Sequence, residues 1–299
     1  MPASTRYDLL HKRLDQFTRM LHAFDEGDVR ALHRTRVASR RLREILPVLQ
    51  VEAEMVRRLG RRLRKVTQRL GVVRELDVLC LLTGELQESG RYDSQALRRL
   101  AAALGDERAR ARERLLAKLP TDELRRIAGK LDRLAGDLKT RKASPGWRWA
   151  VEARVARRGS VLKAALVDAG ALYLPERLHV VRIALKKLRY AREVAAEAAA
   201  VNAGKMSGEF KTLKNSQGVL GRLHDVQVLI DRVRQLQASL TPPDVTVWRK
   251  FDTLTTSLEN DCRRLHARFM HQRTALLAVC DRAAGLKPPA AMVSRAAAG

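Results

Sequence analysis

The stretch His33-Arg-Thr-Arg-Val-Ala-Ser-Arg-Arg-Leu-Arg43 returns further along the chain as His179-Val-Val-Arg-Ile-Ala-Leu-Lys-Lys-Leu-Arg189. His33 matches His179, Arg36 matches Arg182, Arg40 matches Lys186, Arg41 matches Lys187, and Arg43 matches Arg189. At 3.6 residues per turn, offsets of 0, 3, 7 and 10 fall on one side of a helix. Each copy therefore predicts a stripe of one imidazole and three cations. Such a stripe is a surface for a polyanion.

The repeat continues beyond the histidine helix. Leu63-Arg-Lys-Val-Thr-Gln-Arg-Leu-Gly71 aligns with Leu213-Lys-Asn-Ser-Gln-Gly-Val-Leu-Gly221, and Val72-Val-Arg-Glu-Leu-Asp-Val78 aligns with Arg222-Leu-His-Asp-Val-Gln-Val228. Two copies make a duplication, whereas a solenoid needs at least three short repeats. Aromatics are only 4% and Ala, Leu, Arg and Glu dominate, which is the composition of long helices. Helical periods and short connections predict an all-α protein of two antiparallel four-helix bundles.

Breakers place the elements. Asp28 heads a helix through the first motif to about Gln50, with Pro47 near its end. A long helix follows from about Val51 to Gln87, closed by Ser89-Gly90. Asp93 or Ser94 caps the next, to Leu119-Pro120, and Thr121-Asp-Glu123 opens a connecting helix over about 121–140. Residues 141–146 form the linker, and Trp147 and Trp149 beyond it are expected to anchor a helix to about Ala171. Pro175 precedes the second histidine helix, to about Ala203. A long helix spans about Lys205 to Leu240, and Pro242-Pro243-Asp244 opens the last. The expected units are 1–140 and 147–284, with a disordered tail over 285–299.

The chain has 299 residues and a formal charge of +26. Residues 33–74 hold 13 basic and 3 acidic side chains, and residues 177–222 hold 10 and 3. The two basic segments thus carry 17 of the 26 excess charges. Self-repulsion on that scale destabilises a compact state unless an anion relieves it. The expected partner is anionic. Cys80, Cys262 and Cys280 are odd in number and lie far from CxxC spacing, which argues against a disulfide framework or a zinc site and fits a reducing cytoplasm. No signal peptide and no run of 18 apolar residues is present, so no membrane role is expected.

On the helix after the first motif, Arg58, Arg61, Arg62, Lys65 and Arg69 are read as a second stripe, opposite Leu59, Leu63, Val66 and Leu70. Lys211, Lys214 and Arg222 form its counterpart, with Gly218 between them where bulk is absent. Solvated faces usually mix signs at i, i+4 spacing, whereas these stripes are read as having almost no acidic partners. His33 and His179 share a face with cations rather than apolar residues, which suits contact with a phosphate. Catalysis finds little support: there is no HExxH, no DxDxDG loop and no Gly-rich phosphate loop. His224-Asp225 has Arg74-Glu75 as its counterpart, which favours a hydrogen bond or ion pair over metal ligation.

The histidine-led basic helices, with the Leu70-Gly-x-x-Arg-Glu75 and Leu220-Gly-x-x-His-Asp225 turns, resemble the CHAD domain family, the conserved histidine α-helical domain. The resemblance runs from about residue 5 to 284. It implies two four-helix bundles related by a pseudo-two-fold, with basic helices facing a central groove or pore. It also implies binding of inorganic polyphosphate and association with polyphosphate granules. Many relatives carry an N-terminal triphosphate tunnel domain; this sequence shows none, so their catalytic activity is not expected here.

The ligand-facing residues it implies are His33, Arg36, Arg40, Arg43, His179, Arg182, Lys186 and Arg189. Arg58, Arg61, Arg62, Lys65, Lys211, Lys214 and Arg222 would line the neighbouring helices. The expected protein binds polyphosphate without catalysis and without cofactor or metal, and it attracts nucleic acid non-specifically at low salt. A helical nucleic-acid binder and a phosphohydrolase are the rival readings.

Overall fold

The computed structural model of the protein describes residues 4–21, 28–118, 121–140, 146–199, 207–240 and 244–285. Among these are nine α-helices, one 3₁₀ turn and no strand. Helix α1 covers Arg6–Thr18 and opens on a capping box between Thr5 and Asp8. Helix α2, Val29–Ile45, carries the first histidine motif. It ends in the 3₁₀ turn Leu46–Val48, where Pro47 cannot continue an α-helix. Gln50 then turns the chain at φ 53.

Helix α3, Ala53–Glu88, stops just before Gly90 at φ 65. Helix α4 covers Ser94–Lys118, its first turn held by Asp93 Oδ1 accepting from the Ala96 amide at 2.7 Å. Helix α5, Thr121–Thr140, places Asp122 and Glu123 in its first turn, where the dipole favours carboxylates. Helix α6 covers Trp147–Ala169, and α7, Pro175–Ala198, carries the second motif. Helix α8 is Ser207–Ala238. Helix α9, Val245–Ala284, starts where the Asp244 side chain accepts from the Val247 amide at 3.1 Å. Most of the expected linker and nearly all of the expected tail lie outside the described residues. Trp147 is buried as expected, while Trp149 is only half-buried.

Neighbour relations repeat along the chain. Helix α1 packs on α2, α2 on α3, and α3 on α4; α6 packs on α7, α7 on α8, and α8 on α9. In the second half α9 also returns to α6, whereas in the first half it is α5 that packs on α1. Helices α4 and α5 together thus hold the place that α9, about 60 Å long at 1.5 Å per residue, holds alone. Pro120 lies between α4 and α5, and proline does not continue a helix.

Burial does not respect the expected boundary near residue 146. The first hydrophobic cluster includes Val226, Leu229, Ile230 and Val233 of α8, and Val247, Phe251, Leu254 and Leu258 of α9. The second holds the rest of both helices, with Leu213, Leu223, Phe269 and Leu276. Helices of this length outrun one bundle core, so each is shared between two. Gly159 allows a close approach of α6 to α9: a Cβ there would stand 2.8 Å from the Ala283 Cβ. Finally, α2 touches α7 and α3 touches α8. The four helices carrying the basic motifs therefore close a ring.

Candidate functional site

Where α2 meets α7, the two histidine stripes converge. Arg36 and Arg40 from α2 and Arg182 and Lys186 from α7 all lie within Coulombic reach of one another. The Arg36 guanidinium lies across α3 at Gly71, its Nε 3.8 Å from where a Cβ would stand. Arg40 sits 5.7 Å from the Tyr190 ring centre and Arg189 sits 5.1 Å from it. Tyr190 is only 7% exposed, so its ring serves as a platform for guanidiniums from both halves.

This seam is electrostatically costly. Burial, reinforced by Arg182, Arg40 and Arg36, pushes the Lys186 ammonium down to about 7. Burial likewise lowers the pKa of Arg36 and Arg182, although guanidiniums stay charged at neutral pH. Among the described residues no carboxylate lies in ion-pair range of Arg36, Arg40, Arg43 or Lys186. Asp225 of α8 stands 3.9 Å from the neighbouring Arg182, too far for a hydrogen bond. Burial raises the Asp225 pKa even though Arg182, Lys186, Arg222 and Arg74 pull it down.

Both histidines sit at the stripe ends, half-buried. Burial first, then the charges of Arg74, Arg36 and Arg34, lower the pKa of His33. His33 Nδ1 makes no hydrogen bond. His179 Nδ1 faces His224 Nδ1 at 3.4 Å in a cavity of about 200 Å³ that Arg182, Gln227 and Asp231 also line. Burial, Arg182, His179 and Lys186 drive His224 down to about 4. Among the described residues no group of three or more potential ligands is arranged to hold a metal.

The remaining sequence-predicted residues divide. Arg43 lies beside Arg64 and shares a cleft with Arg57, Arg61 and Gly60 of α3, so the cationic surface runs out of the seam along that helix. Lys187, exposed at the rim, has its pKa lowered by partial burial and by Arg158, Arg43 and Arg40. Arg41 and Arg189 share Glu193, at 3.4 and 3.1 Å. Arg222 reaches across to Glu85 of α3 at 2.6 Å. Lys65, Lys211 and Lys214 are exposed.

The expected single stripe on α3 is two faces. Arg58 and Arg62 line a cleft against Lys130 and Arg133 of α5, and Arg69 binds the Lys118 carbonyl at 2.9 Å and Glu123 at 3.0 Å. The reading that these stripes lack acidic partners also needs correcting. Glu54 receives Arg57, Arg58 and Arg61, and other partners arrive from distant helices.

The sequence reading passed over Arg64 and Arg74. Both were within reach of the alignment: Arg64 stands opposite Lys214, and Arg74 opposite His224. Glu44 was a further omission. It is buried and receives Arg154 at 2.8 Å and Arg158 at 3.0 Å from α6, tying the two halves together beside the seam. No local spacing signals a pair so far apart in the chain.

The chain belongs to the CHAD domain family, whose model matches residues 8–234. Its fold is similar to that of the CHAD domain from the plant Ricinus communis, with a TM-score of 0.60 at 19% identity over 96% of this chain and 94% of that one. It is also similar to PptA from Streptomyces chartreusis, with a TM-score of 0.58 at 19% identity over 95% and 99% of the two chains. No curated protein sequence matches the chain. Among the described residues no helix is long and apolar enough to cross a membrane.

Proposed function

We propose that the protein binds inorganic polyphosphate in the seam between α2 and α7, without turning it over. One observation carries this reading: Lys186 is half-buried among three guanidiniums, and among the described residues no carboxylate lies in ion-pair range of it. Four converging cations from helices far apart in sequence are costly to hold in a ligand-free protein. A polyanion relieves that cost. Polyphosphate offers oxygens on every unit, which guanidinium forks grip in pairs and an ammonium meets as a point charge. Membership in the CHAD domain family supports the same ligand and, by extension, association with polyphosphate granules.

The cleft of Arg43, Arg57, Arg61 and Arg64 extends the path for a chain longer than the seam itself. Single-stranded nucleic acid fits less well, because its binders add open aromatic faces for stacking. Tyr190 offers none, being covered by Arg40 and Arg189. The test is competition at physiological salt: long-chain polyphosphate is expected to displace both single- and double-stranded nucleic acid. Nucleic acid displacing polyphosphate would favour a nucleic-acid binder. Phosphate released from labelled polyphosphate, or label retained on the protein, would establish an enzyme instead.

A further inference from the structure

Asp225 of α8 faces the seam at its cationic centre. Arg182 and Lys186 approach it from α7, Arg74 from α3, and Arg222 from its own helix. The first-half counterpart, Glu75, also acts on Arg182 and lies 3.8 Å from Arg232. At 3.9 Å from Arg182, Asp225 screens the cations without using up their N–H donors, and Arg182 Nε makes no hydrogen bond. The charge is answered while the hydrogen-bonding capacity stays free. Other carboxylates near the site behave differently: Glu85 holds Arg222 at 2.6 Å and Glu193 holds Arg189 at 3.1 Å.

We infer that Asp225 is a specificity residue, a built-in counter-anion that keeps single phosphates out of the seam. An incoming phosphate meets the repulsion of this fixed negative charge at the position it must approach. A lone orthophosphate has only the seam contacts to set against that repulsion. A chain has more, since its further units lie on Arg43 and Arg64 beyond the reach of Asp225. The carboxylate thus acts as a threshold that free orthophosphate does not cross and a polymer does. This rests on reading the seam as a phosphate site.

The test is a titration with inorganic orthophosphate, followed by calorimetry at moderate salt, on the full chain. Asp225→Asn is expected to bind orthophosphate about tenfold tighter than the native chain, since it removes one like charge from beside the seam. Asp225→Glu keeps the charge and should bind as weakly as the native protein. Glu85→Gln removes a rim carboxylate and should change affinity less than about twofold. An unchanged or weaker Asp225→Asn, or a Glu85→Gln that matches it, would overturn the inference.

Asp225→Ser is equally neutral and serves if the amide variant does not fold. If both unfold, added orthophosphate must restore their melting temperature, and failure to do so also counts against the inference. Should the native chain bind no long-chain polyphosphate at all, the proposed function fails. The orthophosphate gain of Asp225→Asn remains measurable in that case, so the two failures are separable.

Discussion

The two halves carry the same basic motif, yet they leave it in different electrostatic states. In the first half Arg36, Arg40 and Arg43 have no carboxylate in ion-pair range among the described residues. In the second half Arg182 faces Asp225, Arg189 pairs with Glu193, Arg192 with Glu209 at 2.6 Å, and Arg222 with Glu85. Periodicity alone makes the stripes equivalent, but the surrounding helices do not. The first stripe is open and ready for an external anion, while much of the second is already answered from within. A repeated pattern therefore does not imply repeated work.

If this asymmetry matters, neutralising the open stripe should be the costliest change. Replacing Arg36, Arg40 and Arg43 together with Gln is expected to weaken long-chain polyphosphate binding by at least about 100-fold. Replacing exposed Arg98, Arg99 and Arg110 on α4 should weaken it less than about threefold, through diffuse attraction alone. Fluorescence anisotropy at physiological salt measures both, and circular dichroism checks the fold. Replacing Arg189 of the answered stripe together with Arg222 of α8 should cost less than about tenfold, because those side chains already have partners. Equal losses from both stripes would erase the comparison.

The next effect concerns protons. Lys186 titrates near 7 in the ligand-free protein, against an ordinary 10.5. A bound polyanion favours the ammonium and raises that pKa, so binding near pH 7.5 takes up at most about three quarters of a proton. Affinity should then fall by up to about tenfold per pH unit between pH 7 and 10, and level off below 7. Calorimetry in two buffers of different ionisation enthalpy reads the uptake, and Lys186→Met should abolish it.

Stability of the free protein runs the other way. The folded state binds fewer protons than the unfolded chain between about pH 7 and 10.5, so the Lys186 contribution rises with pH across that window. Thermal melts of the native chain and Lys186→Met isolate it.

The smallest effect separates two equivalent glycines. Gly221→Ala meets open space and should stabilise its helix by about 0.5–1 kcal/mol, leaving binding unchanged. Gly71→Ala meets the Arg36 guanidinium at ordinary contact distance and should stabilise less while weakening binding slightly.

Much of this was legible from residue order. The histidine motifs lie on α2 and α7, and the breakers at Pro47, Gly90, Asp93 and Asp244 end or begin helices as their chemistry requires. The convergence of Arg36, Arg40, Arg182 and Lys186 was legible only as an implication of the family resemblance. The split of the α3 stripe was not, because Arg58 and Arg61 are three residues apart and a wide helical face admits both. Which side each joins depends on α5 and on Glu54. The shared core was hidden for a related reason: an apolar face on a long helix does not record which bundle it meets.

A structure with a bound phosphate oligomer would test the central claim most directly. The expected result places phosphate oxygens within hydrogen-bond distance of Arg36, Arg40, Arg182 and Lys186, with the chain continuing towards Arg43 and Arg64. An oligomer lying instead along Arg58, Arg62 and Arg133, with the seam unoccupied, would contradict it.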